Sequence, residues 1–333
     1  MPDLSTLDLR DATADDAAAL CRLHQRAYGQ PRSMEEWRWR YVDGPIGRTA
    51  LVGAFAADGR CLAAHCGTAV PFRLGDDTVV AILHSDVAVD PGVGLGRGRL
   101  LARMAARFFD RFGGGDVAIA WGFPMPGLRR VLVRHNRCDV LQDVHLVVRD
   151  VERATQNRSA SHGLCAERAD PDVFTRHAPG LDALGQLPFR SPDIVGTRID
   201  ARWLQWRFAR RPDVAYTPWI VRRADRITGL AITRDGGFDP DIVSLMEFLV
   251  APGDHASAAA LVDAATREAR RLGRRHVVAW LPGDRWQHDL QVAHGFFAEP
   301  TLYQQVTRTW RPGLGRDRLA RTWRRSLGDV DFV

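Results

Sequence analysis

The chain opens on alternation: Leu7-Asp8-Leu9-Arg10 has the two-residue period of a strand, and Thr13-Ala14-Asp15-Asp16 has the spacing of a capping box ahead of Leu20, Leu23 and Ala27. A strand followed by a helix is expected. The apolar runs 50–56 and 62–70 flank Asp58-Gly59, a dipeptide suited to a tight hairpin because it tolerates positive φ. Leu74-Gly75-Asp76-Asp77 then turns into the run 78–89, which predicts three antiparallel strands in succession. Beyond Pro91, Leu100, Leu101, Met104, Ala105, Phe108 and Phe109 recur at helical spacing, with Arg99, Arg103 and Arg107 on the opposite face. A strand at 117–121, a short helix at 128–135 and a strand at 140–148 complete the first half.

Much of this pattern recurs. Trp39-Arg40-Tyr41 returns as Trp206-Arg207-Phe208, Ala120-Trp121 as Ala279-Trp280, and Val89-Asp90-Pro91 as Val250-Ala251-Pro252. Between these landmarks lie turn signals at Ala224-Asp225 and Asp235-Gly236-Gly237, a strand pattern at 242–250 and a helical one at 258–272. A tandem of two related domains follows, 1–150 and 191–333, joined by a connector at 151–190 with room for a helix. The stretch from Trp323 to Val333 ends apolar and is expected to add a strand or cover a seam between the domains.

Composition narrows the class. With 333 residues, 45% of them hydrophobic and 26% charged, the chain suits two ordinary globular domains. No apolar run is long enough for a bilayer and no leader is visible at the start, so a cytoplasmic protein is expected, without a membrane partner. Five scattered cysteines favour reduced thiols over a disulfide framework. The net charge of +6 comes entirely from arginine, dispersed among acidic residues, so nucleic acid is not an expected partner. Cys61, His65 and Cys66 hint at a metal, but their side chains should diverge along an extended strand and no second pair follows, so no metal is expected. No GxSxG elbow occurs.

The chemistry concentrates in Val89-Asp90-Pro91-Gly92-Val93-Gly94-Leu95-Gly96-Arg97-Gly98-Arg99. A glycine-rich turn between a strand and a helix presents free N–H groups and the positive helix end to an anion. The dinucleotide pattern GxGxxG and the P-loop GK[ST] are both absent. In the second half the equivalent segment is Ala251-Pro252-Gly253-Asp254-His255-Ala256-Ser257, where Asp254 would repel a phosphate.

These residues resemble the GNAT superfamily of acyl-CoA-dependent N-acyltransferases. The family's loop reads Val-x-Pro and then (Gln/Arg)-x-x-Gly-x-(Gly/Ala); Gly96 and Gly98 fall on its glycines, Leu101 on the following helix leucine, and Val93 replaces the Gln or Arg. The resemblance implies an α/β (α+β) fold of two tandem GNAT-like domains, each a mixed, mainly antiparallel sheet flanked by helices. It further implies acetyl-CoA or another acyl-CoA as co-substrate, held in the first domain by Val87, Ala88, Val89, Val93, Gly94, Leu95, Gly96, Arg97, Gly98 and Arg99. The second domain would be a degenerate partner shaping the acceptor site, as in mycothiol synthase-like members. A small-molecule amine is the implied acceptor, and the chain is expected to act as a monomer or homodimer.

Period-two geometry places Ile82, His84, Asp86 and Ala88 on one strand face, so His84 and Asp86 are the leading candidates for the proton acceptor. Glu247 is the counterpart of Asp86 in the second copy. Many family members carry a tyrosine four residues before a Gly-Phe as general acid; here those positions are Val133 and Gln291. Three readings therefore remain: an N-acyltransferase, a non-catalytic binder of CoA or a metabolite, and an acyl-CoA decarboxylase on the same fold.

Overall fold

A computed structural model of the chain describes residues 4–154, 163–280, 289 and 292–330. The first elements are β1 (Asp8–Asp11), α1 (Ala17–Tyr28), α2 (Met34–Tyr41), β2 (Thr49–Phe55), β3 (Cys61–Leu74), β4 (Asp77–Val89), α3 (Arg97–Phe112), β5 (Val117–Gly122), α4 (Pro126–His135) and β6 (Asp139–Asp150). They are followed by β7 (Glu167–Arg168), α5 (Val173–Arg176), α6 (Ala178–Gln186), β8 (Val195–Thr197), α7 (Ala201–Leu204), β9 (Thr217–Arg223), β10 (Arg226–Asp235), β11 (Ile242–Val250), α8 (His255–Arg271), β12 (His276–Ala279), β13 (Phe296–Thr309) and a last helix, Arg316–Thr322. The architecture is mixed α/β, mostly antiparallel sheet flanked by helices, as the pattern of apolar positions predicts.

Two compact units emerge. The first comprises Met1–Pro71, Val79–Asp143 and Leu302–Ala320; the second comprises Phe72–Thr78, Val144–Thr301 and Arg321–Val333. In the first unit the strand order is β1-β2-β3-β4-β5-β13, so its sheet is completed by residues from far along the chain. The β2–β3 hairpin closes at Gly59 (φ 80), as the Asp58-Gly59 signal requires. Between β4 and β5 the pairing is parallel, because α3 carries the chain back across the sheet.

Both faces of this sheet are covered. Ala50, Val52, Ala54, Ile82 and Val89 face the α3 stripe of Leu100, Met104, Ala105, Phe108 and Phe109, while Leu51, Phe55, Ala64, Cys66 and Ala88 face Leu20 and Leu23 of α1 and Trp37 and Tyr41 of α2. Thr13 and Asp16 form the expected capping box, and Ser33 caps α2 by accepting from the Glu36 N–H at 3.0 Å.

In the second unit the order is β6-β12-β11-β10-β9-β7, again with one parallel pair, β11–β12, flanking a helix, α8. The alanine-rich face of α8 lies close on β9 to β12, and Gly229 permits it: a Cβ there would stand 3.0 Å from Leu261 Cδ1. The connector contains α5, α6 and the two-residue β7. The segment after Trp323 is buried through Val330 and adds no strand; Trp323 makes an isolated bridge to Val195, and Asp331 to Val333 lie outside the described residues.

Candidate acyl-CoA cradle and proton-acceptor site

Strand β4 changes character half way along. Its pairing with β5 runs from Val80 to Leu83, opposite Val117 to Trp121, and ends there, whereas β4 itself continues to Val89. Asp86 has φ 47, a left-handed conformation that is costly for a residue with a Cβ and marks a bulge. The consequence is a change of parity. Ile82 and His84 face α3, while Asp86 and Ala88 face α1 and α2.

The period-two expectation therefore does not hold across residue 86, and His84 and Asp86 are not brought together. His84 is buried with its Nδ1 2.9 Å from His65 Nε2, and His65 stacks on Phe108 with ring centroids 4.1 Å apart. Burial, then the Arg308 charge, push His84 down to about 3; burial, then His84, hold His65 well below the ordinary histidine range. Both are buried and neutral at physiological pH.

That arrangement has a measurable consequence for stability. Unfolded, the pair titrates near 6.5; folded, it resists protonation, so the unfolded chain binds more protons below that value. Stability is fully present above about pH 6.5 and falls as pH drops toward 3, by up to about 1.4 kcal/mol per pH unit per histidine. Melting temperature should decline from pH 7 to pH 4, and the decline should be shallower in the His65→Leu/His84→Leu double variant. An unchanged slope would show that other groups govern the acid limb.

Asp86 stands in a different environment. Its carboxylate takes the Arg32 guanidinium and the Tyr41 hydroxyl on Oδ2, and His24 Nε2 lies 3.8 Å from Oδ1. Arg32 is shared with Glu36 at 3.0 Å, which in turn receives Arg40 at 3.2 Å. Leu20, Leu23, His24, Arg32, Trp37 and Tyr41 line a cavity of about 10 Å³ together with Asp86. Sequence reasoning passed over His24 and Arg32, and took Tyr41 only as part of the repeated Trp-Arg segment. A signal existed for Tyr41, because the repeated Trp-Arg segment ends in Tyr once and in Phe once, and only the copy beside Asp86 keeps the hydroxyl.

Beyond Asp86, Val87 is half-buried and its carbonyl accepts the Tyr28 hydroxyl at 3.1 Å; Ala88 and Val89 are buried. The loop folds as a short 3-10 turn, Pro91–Gly96, leading directly into α3. Asp90 caps it through the Gly92 N–H at 2.9 Å and is itself held by Arg26 at 2.5 Å. Val93 turns into the α3 core, so the side chain replacing the family's Gln or Arg packs instead of facing a ligand. Gly94 adopts φ 68 and ψ −138, open only to glycine, and Leu95, Arg97, Gly98 and Arg99 are exposed. A Cβ on Gly98 would meet nothing within 4 Å, whereas one on Gly96 would lie 2.2 Å from Leu4 Cδ1. With no acidic residue in the first turn of α3, these groups fit a pyrophosphate.

The counterpart in the second unit is filled from within. Asp254 caps α8 by accepting from the Ser257 N–H at 3.1 Å and hydroxyl at 2.7 Å, and pairs with Arg223 at 2.9 Å. Glu247 also follows a bulge, since β10–β11 pairing slips between Ile232 and Thr233, but it is enclosed. Arg324 pairs with it and the Ser326 hydroxyl donates to it at 3.0 Å.

The other flagged groups have structural settings. Cys61 and Cys66 share the α1 and α2 face because of a bulge at Leu62, His65 points the opposite way, and burial pushes both thiols up to about 12. Among the described residues no group of three or more His, Cys, Asp or Glu side chains could hold a metal, and no helix is long and apolar enough to cross a membrane. Arg40 and Arg207 of the repeated segments are both buried, Arg207 donating to the Gly328 and Val330 carbonyls at 3.0 Å each. Val133 is exposed on α4, and Gln291 lies outside the described residues.

No protein-family model and no curated protein matches this sequence. Solved structures do match in fold. A probable N-acyltransferase from Enterococcus faecalis V583 aligns with a TM-score of 0.65 at 13% identity, covering 91% of this chain and 73% of that one. GCN5-related N-acetyltransferases from Kribbella flavida (TM-score 0.61, 18% identity, 92% of this chain and 72% of that one) and Anabaena variabilis ATCC 29413 (0.62, 12%, 91% and 72%) are similar to the same extent. The fold is the one these solved acyltransferase structures share.

Proposed function

We propose that the protein is an N-acyltransferase, in its simplest form an N-acetyltransferase, that moves an acyl group from acyl-CoA to the amine of a small molecule by direct attack in a ternary complex. The observation that carries this reading is the join of β4 to α3. A strand that parts from its neighbour, a glycine turn with exposed backbone and an uncapped basic helix start together suit a pantetheine thioester followed by a pyrophosphate. Gly94 to Arg99 would take the pyrophosphate, and the backbone of Val87 to Val89 would polarise the thioester carbonyl. Asp86, partly exposed at the bulge, places a carboxylate beside that position. A protein that only binds CoA would not require this charged cluster there.

Calorimetric titration with acetyl-CoA, followed by thiol release in the presence of primary amines, tests the proposal. Saturable binding with amine-dependent release of free CoA is the expected result. No heat with acetyl-CoA, free CoA or longer acyl-CoAs would sink it. Carbon dioxide release from malonyl-CoA without an amine would replace it with the decarboxylase reading.

A further inference from the structure

The groups around Asp86 carry more information than one carboxylate. His24 Nδ1 lies 3.1 Å from the Gln30 carbonyl, an oxygen that can only accept, so Nδ1 bears the proton. The Nε2 lone pair then faces Asp86 Oδ1 at 3.8 Å. Two acceptors stand opposite each other with no hydrogen between them. They are too far apart to share one proton, and spaced so that two N–H groups of a single nitrogen could reach both. His24 and Asp86 side chains keep 14% and 15% of their surface exposed, so a ligand can reach them. Trp37, on the same cavity wall, has a buried Nε1–H without an acceptor.

We propose that His24 Nε2 and Asp86 Oδ1 form the seat for the acceptor amine, and that His24 takes its proton. The inference rests on the acyltransferase reading above and names the part of that site which receives the nucleophile. A volume of about 10 Å³ holds one water-sized group, so the seat admits the terminal nitrogen of an unhindered primary amine and excludes a substituted one. The acceptor class is therefore primary alkylamines.

The charges facing His24 fit the role. Arg32 and Arg40 oppose a second positive charge; Glu36, Asp86 and the Gln30 carbonyl favour one. Burial, then Arg32, bring His24 down to about 4, which leaves Nε2 unprotonated at neutral pH and free to accept. As the nitrogen attacks, the N–C bond forms, the C–S bond breaks, and its electron pair leaves on the CoA sulfur. The proton made acidic on the attacking nitrogen passes to Nε2, and Asp86 stabilises the imidazolium until solvent removes it and the thiolate is protonated.

The test uses the full chain and n-propylamine. In wild type, the His24 Cε1–H resonance should shift saturably with propylamine, and diethylamine should bind at least tenfold more weakly. Asp86→Asn should weaken propylamine binding at least tenfold. His24→Gln should lower propylamine acylation at least 100-fold while acetyl-CoA affinity stays within twofold. Absence of a saturable shift in wild type, equal binding of diethylamine, or an unaltered rate in His24→Gln would overturn the proposal. The wild-type resonance decides the matter even if a variant fails to fold. Loss of acetyl-CoA binding by wild type would instead remove the acyltransferase reading, and is a separate observation.

Discussion

Glu247→Ala is expected to lower the stability of the second unit by about 3–5 kcal/mol, the usual result of leaving one partner of a buried ion pair alone. Glu247 is 1% exposed, and its carboxylate joins Arg324, the Ser326 hydroxyl and the Phe248 N–H. Around it lie Asp329, pushed up to about 6 by burial, and Arg325, pushed down to about 9 by burial. Removing the carboxylate takes away the ion-pair partner of Arg324, which is 7% exposed and keeps only the field of Asp329. The Glu247→Leu/Arg324→Leu double variant should lose less than Glu247→Ala alone, because no charge remains unpaired. Denaturant midpoints measure both. A loss below about 1 kcal/mol for Glu247→Ala would mean that water reaches Arg324.

Gly98→Glu should abolish most acetyl-CoA binding while leaving the fold intact. The site for a Cβ is open and the position begins a helix, where glutamate is favourable to folding. Its carboxylate would nevertheless stand in the anion cradle. Against a pyrophosphate at partly exposed distances this opposes binding by about 3 kcal/mol, on the order of a 100-fold loss. Gly96→Glu is the poorer probe, since its side chain would first displace Leu4. Calorimetry with acetyl-CoA, alongside melting temperature, distinguishes the effects. Unchanged affinity in a folded Gly98→Glu protein would place the cofactor elsewhere.

Legibility in the sequence followed the range of the interactions. The Asp58-Gly59 hairpin, the Thr13 to Asp16 capping box, the α3 stripe and the glycine turn are local, and each matches its expectation in the structure. Period-two reasoning on β4 failed at one residue. The positive φ of Asp86 reverses every side chain after it, and no residue type there announces the bulge, as a glycine would have done. The partners of Asp86 come from α1, α2 and the turn between them, 45 to 62 residues earlier in the chain. Their type alone, a His, an Arg and a Tyr inside helical patterns, reads as ordinary helix surface or core.

By itself, the sequence determined the succession of strands and helices and the place where a glycine turn leads into a helix. Hydrophobic period, turn chemistry and glycine content act over a few residues, and they are written locally. Tertiary structure alone decided that β13 completes the first sheet, that His84 belongs to the core, and that Glu247 is closed in by Arg324. It also decided that Asp86 meets His24, Arg32 and Tyr41. These outcomes depend on backbone parity at a single bulge and on which distant segments pack together, and neither is encoded in any short stretch of residues.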